Sequence, residues 1–201
     1  MVLDAPARRV LGRPLDVAAG HLARIGVTPN HLTAIGFVLG IAAAVAAARS
    51  AWPIALALWL TSRLGDGLDG AVARVVGPTD AGGYLDVVAD FTVYGAFVVG
   101  VAIAVPEARV ACAVLLLTYY VNGTAVLAFS GLADRRALDR PDERSVRLGR
   151  GLAEGTETIV VHALFCLLPS MASGIAWSFA GVVAVTATSR IVGAVRVLRR
   201  P

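Results

Sequence analysis

The sequence has no lysine: all eighteen basic residues are arginine. Set beside the heavy use of alanine, valine and glycine, that absence speaks of genome composition more than of function. Cysteine is nearly absent too. Cys112 and Cys166 both sit in apolar stretches, so they propose neither a disulfide framework nor a metal site. The first fourteen residues, MVLDAPARRVLGRP, lack the apolar core of a cleaved signal, and insertion is expected to depend on the first spanning helix. Solenoid-type repeats and a disordered linker are also missing. Charged residues make up only 16% of the chain.

Apolar residues fill the space this leaves, at 57% of the chain with a mean hydropathy of +0.75. A soluble domain of this size rarely exceeds about half. Long apolar stretches recur along the whole length, so the reading is a polytopic membrane protein with no room for a second, soluble domain. The net charge of +4 and the pI near 9.7 would fit a nucleic-acid partner in a soluble chain. Here arginine clusters at segment ends, which fits cytoplasmic loops, and no nucleic acid is expected.

From Ala7 to Gly26, Arg8, Arg9, Arg13 and Arg24 alternate with Val10, Leu11, Leu15, Val17, Leu22 and Ile25. The pattern predicts an amphipathic interfacial helix with a break near Pro14. Thr28-Pro29-Asn30 reads as a helix start, a capping residue followed by proline in the first turn. Six apolar spans are expected over His31–Ala48, Pro53–Val75, Asp80–Val105, Val110–Leu132, Gly151–Leu168 and Gly174–Leu198. The fold expected is therefore all-α: an interfacial segment over residues 1–30 and a single six-helix domain over 31–198.

Most charge lies in the N-terminal segment, at Arg74, in Asp134–Arg150 and at Arg196, Arg199 and Arg200. The alternate connections carry only Arg49, Glu107 and Arg109, or nothing, as in Pro169–Ser173. Both termini are expected on the cytoplasmic side of the cell membrane.

The chemistry concentrates in Asp66-Gly-Leu-Asp69-Gly70-Ala-Val-Ala73-Arg74 and Gly82-Gly-Tyr-Leu-Asp86-Val-Val-Ala-Asp90. On a helix, positions 66, 69, 70 and 73 share one face about a hundred degrees wide. Glycine and alanine on that face leave room for a substrate. Asp86 and Asp90 stand one turn apart on the next helix, and Gly77-Pro78 turns the chain back between the two. Four carboxylates then meet near one membrane surface. Each costs roughly 2.5–3.5 kcal/mol at mid-depth, and mutual repulsion adds to this. Oxygen-only ligands at this density suit Mg²⁺ or Mn²⁺, not zinc. Two helices with four carboxylates can hold two ions about 3.5–4 Å apart, the arrangement that clamps phosphoryl transfer.

The pattern D-x2-D-G-x2-A-R, a spacer, then G-x3-D-x3-D resembles the signature of the CDP-alcohol phosphatidyltransferases. Asp66, Asp69, Gly70, Ala73, Arg74, Gly82, Asp86 and Asp90 fill its fixed positions. The spacer between Arg74 and Gly82 is seven residues, shorter than is usual in that family. The resemblance implies six transmembrane helices, a homodimer, and an active site open to the cytoplasm. It implies metal ligation by Asp66, Asp69, Asp86 and Asp90, with Asp90 as general base on the acceptor hydroxyl. Gly70 and Arg74 would contact the CDP moiety of a CDP-linked lipid, Thr79 would help hold the nucleotide, and Pro29-Asn30-His31-Leu32 would lie near it. The reaction implied is one in-line displacement: the acceptor oxygen attacks the lipid-side phosphorus and CMP leaves.

Other polar residues carry two readings each. Arg74 is a nucleotide contact or a positive-inside anchor. Arg63, one turn before Asp66, is a salt-bridge partner that keeps the cluster's charge in balance. Thr79 and Asp80 also suit a helix cap. Glu154 and Glu157 either favour a helix start or bind acceptor hydroxyls or an amine. Arg190, two turns inside the last span, faces a polar cavity and an acceptor anion, or neutralises a carboxylate. Arg136, Arg147 and Arg150 from the cytoplasmic loop are the companions it would have for an anionic acceptor. His162 reads as a packing residue, and Tyr119, Tyr120 and Asn122 as interhelical contacts. A cation channel or transporter and a non-catalytic scaffold are the alternatives. The first would spread acids through the bilayer depth, and the second has no reason to retain costly charges.

Overall fold

The computed structural model describes residues 4–135 and 155–199, with side chains described from residue 12 onward and not for 134 and 135. Seven α-helices occur among the described residues: α1 Asp4–Arg24, α2 Pro29–Ala48, α3 Trp52–Val76, α4 Asp80–Ala104, α5 Arg109–Arg135, α6 Gly155–Leu167 and α7 Ala172–Leu198. Short 3₁₀ turns at Pro106–Ala108 and Pro169–Met171 lead into α5 and α7. No strand occurs among the described residues.

The boundaries follow from local chemistry. Thr28, extended at φ −93°, precedes α2, and Pro29 occupies its first turn, where a missing N–H costs nothing. Thr79 caps α4: its hydroxyl oxygen accepts from the Gly82 N–H at 3.1 Å. α3 ends at Gly77, whose φ of +96° reverses the chain before Pro78. α1 runs through Pro14 without interruption, so the expected break is not there.

α2 is the central packing element. Its buried residues, Gly36, Gly40, Ala43, Ala44, Ala46 and Ala47, are all small, and it lies closely against both α3 and α4. α5 packs along α7. The main core gathers Trp59, Val93, Phe97, Leu115, Phe165 and Val183 around His162. His162 is fully buried and stacks on Trp59 with ring centroids 4.6 Å apart. Its Nδ1 lies 2.8 Å from the Thr158 carbonyl and its Nε2 3.4 Å from that of Tyr94; a neutral ring donates to one of them, and the aromatic packing around it is that of a core residue. A second, small core docks α1: Leu15, Ala19 and Leu22 meet Ala71 and Val72 of α3 and Leu32 of α2.

The outer surface is apolar. Ile35, Val38, Ile54, Leu60, Ile103, Leu117, Trp177 and Val185 are all exposed, on five different helices. Lipid is the medium that such a surface fits. Four stretches are long and apolar enough to cross a membrane: Pro29–Ala48, Asp80–Ala104, Pro106–Ala133 and Pro169–Leu198. α3 falls outside that set although it is 25 residues long, because Arg63, Asp66, Asp69 and Arg74 lie in its second half. α6 is apolar over 13 residues, and the residues immediately before it lie outside those described.

Candidate active site

The end of α3 and the start of α4 carry the acidic residues, and the Gly77-Pro78 turn folds them together. One oxygen each from Asp66, Asp69 and Asp86 lie within 4.8 Å of one another. Asp69 is the most enclosed of these, at 5% exposure. Asp90, the fourth, joins them around a small cavity of about 10 Å³, bounded also by Thr33, Gly36 and Arg63. Three converging carboxylates with no sulfur or imidazole among them fit a hard divalent cation.

Two side chains outside the motif support this cluster. Thr33, on α2, points its hydroxyl at Asp69, with Oγ1 2.8 Å from Oδ2; the Pro29 carbonyl lies 3.1 Å from the same oxygen. Arg63 donates from Nη1 to Asp90 Oδ1 at 2.6 Å and lies 3.8 Å from Asp66. It is 8% exposed and packs against two aromatic rings, 5.1 Å from the Trp59 centroid and 5.0 Å from that of Tyr94. The charge-balancing role expected of Arg63 agrees with this geometry.

Beside the carboxylates opens a second cavity of about 400 Å³. Pro29 and Asn30 form one wall, Gly70 and Ala73 another, and Gly77, Pro78, Thr79 and Gly82 the third. Thr33, Asp69 and Asp86 border both cavities, so the two adjoin at the acidic residues. A Cβ added at Gly82 would stand 2.9 Å from both Asn30 Oδ1 and Thr79 Oγ1. A side chain there would have to displace the ends of Asn30 and Thr79, both of which line the cavity.

Not every residue of the Pro29–Leu32 segment reaches this cavity. His31 turns back, its Nδ1 3.4 Å from the Thr28 N–H, which donates to it. Leu32 packs into the small core under α1. Arg74 is exposed at the rim: its Nη2 donates to Asp16 Oδ1 of α1 at 3.2 Å, and its Nη1 lies 3.9 Å from where a Cβ on Gly70 would stand.

On the far side of α4 lies a third cavity of about 500 Å³, lined by Phe91, Tyr94, Tyr119, Gly155, Thr158 and Arg190, among others. Arg190 Nη1 donates to Asn122 Oδ1 at 2.8 Å, which makes Asn122 the interhelical contact expected. Tyr120, expected in a similar role, is instead 72% exposed. Gly155 and Thr158, rather than Glu157, border this space. Arg136, Arg147, Arg150 and Glu154 lie outside the described residues. Sequence reasoning missed Thr33. The available signal was a hydroxyl one turn beyond Pro29, on the same face of an otherwise apolar helix.

The chain shares 41% identity over 148 residues, 72% of its own length and 72% of the relative's, with inner membrane protein YnjF of Escherichia coli. It is 31% identical over 172 residues to a bifunctional IPC transferase and DIPP synthase of Thermococcus kodakarensis, covering 85% of this chain and 39% of that one. Two crystal structures of the phosphatidylinositol phosphate synthase PgsA1 of Mycobacterium tuberculosis share its fold. One has CDP-DAG bound (TM-score 0.69, 22% identity, 90% of this chain and 94% of that one). The other is a complex with manganese and citrate (TM-score 0.73, 21% identity, 90% and 88%). The family model for CDP-alcohol phosphatidyltransferases matches residues 26–187, and the chain belongs to that family.

Proposed function

We propose that the two adjoining cavities hold a CDP-linked lipid and that the carboxylates at their shared border promote its attack by a hydroxyl acceptor. Family membership makes the chain a phosphatidyl transferase of phospholipid biosynthesis. The observation that carries the site assignment is the shared border: Asp69 and Asp86 line both the acidic cavity and the larger one beside it. The bound CDP-DAG of the Mycobacterium tuberculosis relative agrees with a CDP-lipid donor.

In this reading Asp66, Asp69, Asp86 and Asp90 hold two divalent ions, Mg²⁺ or Mn²⁺. When bound, such ions neutralise the diphosphate and the charge that develops on it in the displacement. The chain's own groups do the rest. Pro29, Asn30, Gly70, Thr79 and Gly82 shape the nucleotide pocket, and Arg74 turns from Asp16 to the diphosphate. Asp90 accepts the proton of the acceptor hydroxyl. The acceptor oxygen bonds to the lipid-side phosphorus, the bond from that phosphorus to the bridging oxygen breaks, and CMP departs. Arg190 lines the cavity from which a small polar acceptor approaches, with Glu157 on the same first turn of α6 as the lining residues Gly155 and Thr158. Residues 31–198 form one catalytic domain of six spans, with both termini cytoplasmic and the active unit a homodimer.

The test is CMP release by purified protein with CDP-diacylglycerol and Mg²⁺, across a panel of hydroxyl acceptors. Metal-dependent release with one acceptor, abolished by Asp86→Asn, is expected. Release that persists in EDTA or in Asp86→Asn would overturn the assignment.

A further inference from the structure

Arg63 lies outside the family signature, and the reaction as written gives it no part. Its surroundings are nevertheless specific. Nη1 donates to Asp90 at 2.6 Å and to the Tyr94 hydroxyl at 3.2 Å. Nη2 donates to Ser62 Oγ at 3.0 Å, and that hydroxyl in turn donates to the Gly36 carbonyl at 2.7 Å. Trp59 and Tyr94, themselves in edge-to-face contact with centroids 5.8 Å apart, pack against the guanidinium from adjacent sides. Trp59 is itself fully buried and tied through Nε1 to the Ile159 carbonyl at 3.1 Å. A planar, forked, stacked cation is required by this arrangement, and an ammonium cannot reproduce it. At 8% exposure the residue is enclosed at the border of the acidic cavity.

We infer that Arg63 is a positioning residue with two separable effects: its fork sets the orientation of Asp90, and its fixed charge limits how tightly the aspartate cluster binds divalent cations. The first effect follows from the short bond to a single oxygen, Oδ1, which fixes the rotation of the carboxylate. The second follows from distance. A permanent positive charge 3.8 Å from Asp66 and 2.6 Å from Asp90 repels any cation that these residues bind. A cluster of four carboxylates without that counter-charge would bind divalent ions more tightly. The inference rests on the assignment of the cluster to divalent-ion binding.

Two variants separate the effects. Arg63→Lys keeps the charge and loses the fork. Arg63→Met keeps much of the length and loses both. Mn²⁺ affinity is read from the free-ion electron paramagnetic resonance signal of purified protein, and kcat and KM from CMP release. Arg63→Lys is expected to lower kcat by about 10- to 100-fold, as outer-shell losses do, with Mn²⁺ affinity within about twofold of the parent. Arg63→Met is expected to lower kcat similarly while binding Mn²⁺ about tenfold more tightly. KM for the CDP-lipid stays constant in both. Full turnover in Arg63→Lys would overturn the positioning role. Unchanged or weaker Mn²⁺ binding by monodisperse Arg63→Met would overturn the counter-charge role. Should Arg63→Met fail to fold, Arg63→Gln supplies the same neutral comparison. Failure of the underlying assignment shows separately, as absent Mn²⁺ binding in the unmodified protein.

Discussion

Thr33 has one hydroxyl proton and two acceptors in reach, the Pro29 carbonyl and Asp69. The bond to a carboxylate is the stronger and shorter, so the proton favours Asp69. That fixes the orientation of the most enclosed of the aspartates, one of the proposed metal ligands. Thr33→Val keeps the shape of the side chain and removes the donor. It should weaken Mn²⁺ binding about 10- to 100-fold, and Thr33→Ser should restore most of it. A titration that leaves Thr33→Val with the parent affinity would deny Thr33 this role. Gly82 makes a complementary case, in which the missing side chain matters. Gly82→Ala forces a Cβ against Asn30 and Thr79, each 2.9 Å away, and both belong to the pocket wall. Overpacking of this kind costs typically about 1–3 kcal/mol. The expected outcome is a raised KM for the CDP-lipid with a smaller change in kcat. The aspartates and Gly82 were legible in the sequence because costly or constrained residues stood at fixed helical spacing. Thr33 was not, since a lone hydroxyl in an apolar helix has many ordinary explanations. His31 and Leu32 show the reverse limit. Adjacent helical residues point about a hundred degrees apart, so a contiguous string of four cannot all face one pocket.

Among the elements, α1 illustrates how a helix can be recognised from its pattern while its docking is not. The alternation of arginine with aliphatic residues announced an amphipathic helix, and the helix is there over Asp4–Arg24. That pattern does not say which surface the apolar stripe meets. Leu15, Ala19 and Leu22 meet α3 beside the motif, on Ala71 and Val72. The Asp16–Arg74 pair spans the same two helices, yet its side chains are 63% and 66% exposed. Exposed pairs of this type contribute about 0–1 kcal/mol, so the apolar stripe must carry the docking. Asp16→Ala should therefore leave thermal stability nearly unchanged, while Leu22→Ala, at a partly buried position, destabilises by about 1–2 kcal/mol. Asp16→Ala also releases Arg74, and the KM for the CDP-lipid should fall if the arginine then meets the diphosphate without competition. A melting temperature lowered more by Asp16→Ala than by Leu22→Ala would reverse this ranking. The caps at Thr28 and Thr79 were legible in advance because hydroxyl, proline and glycine chemistry is local.

For the whole molecule, α3 decides how many helices cross the bilayer. At 25 residues and 1.5 Å per residue, α3 is about 37 Å long, enough for a hydrocarbon core of about 30 Å. Its first half is apolar, and its charges gather in the second, where the acidic cavity and Arg63 receive them. Polar residues inside a crossing helix are tolerated when they face such an interior. Six crossings and four would both return the termini to one side, so locating the termini does not discriminate. The connections on either side of α3 do. Arg49 precedes it and Val75 closes it, and both are exposed. Arg49→Cys and Val75→Cys can each be probed in intact cells with a membrane-impermeant maleimide. Cys112 and Cys166 are buried and are replaced by alanine to silence them. If α3 crosses, Arg49→Cys reacts from outside, and Val75→Cys reacts only after the membrane is opened. If both react from outside, α3 does not cross, and the acidic cavity would open away from the cytoplasm, where CDP-linked lipids could not be met by a cytoplasmic acceptor. Labelling on opposite sides is the expected result, because it alone places Asp66, Asp69, Asp86 and Asp90 at the same membrane face as the arginine-rich segments at both ends of the chain.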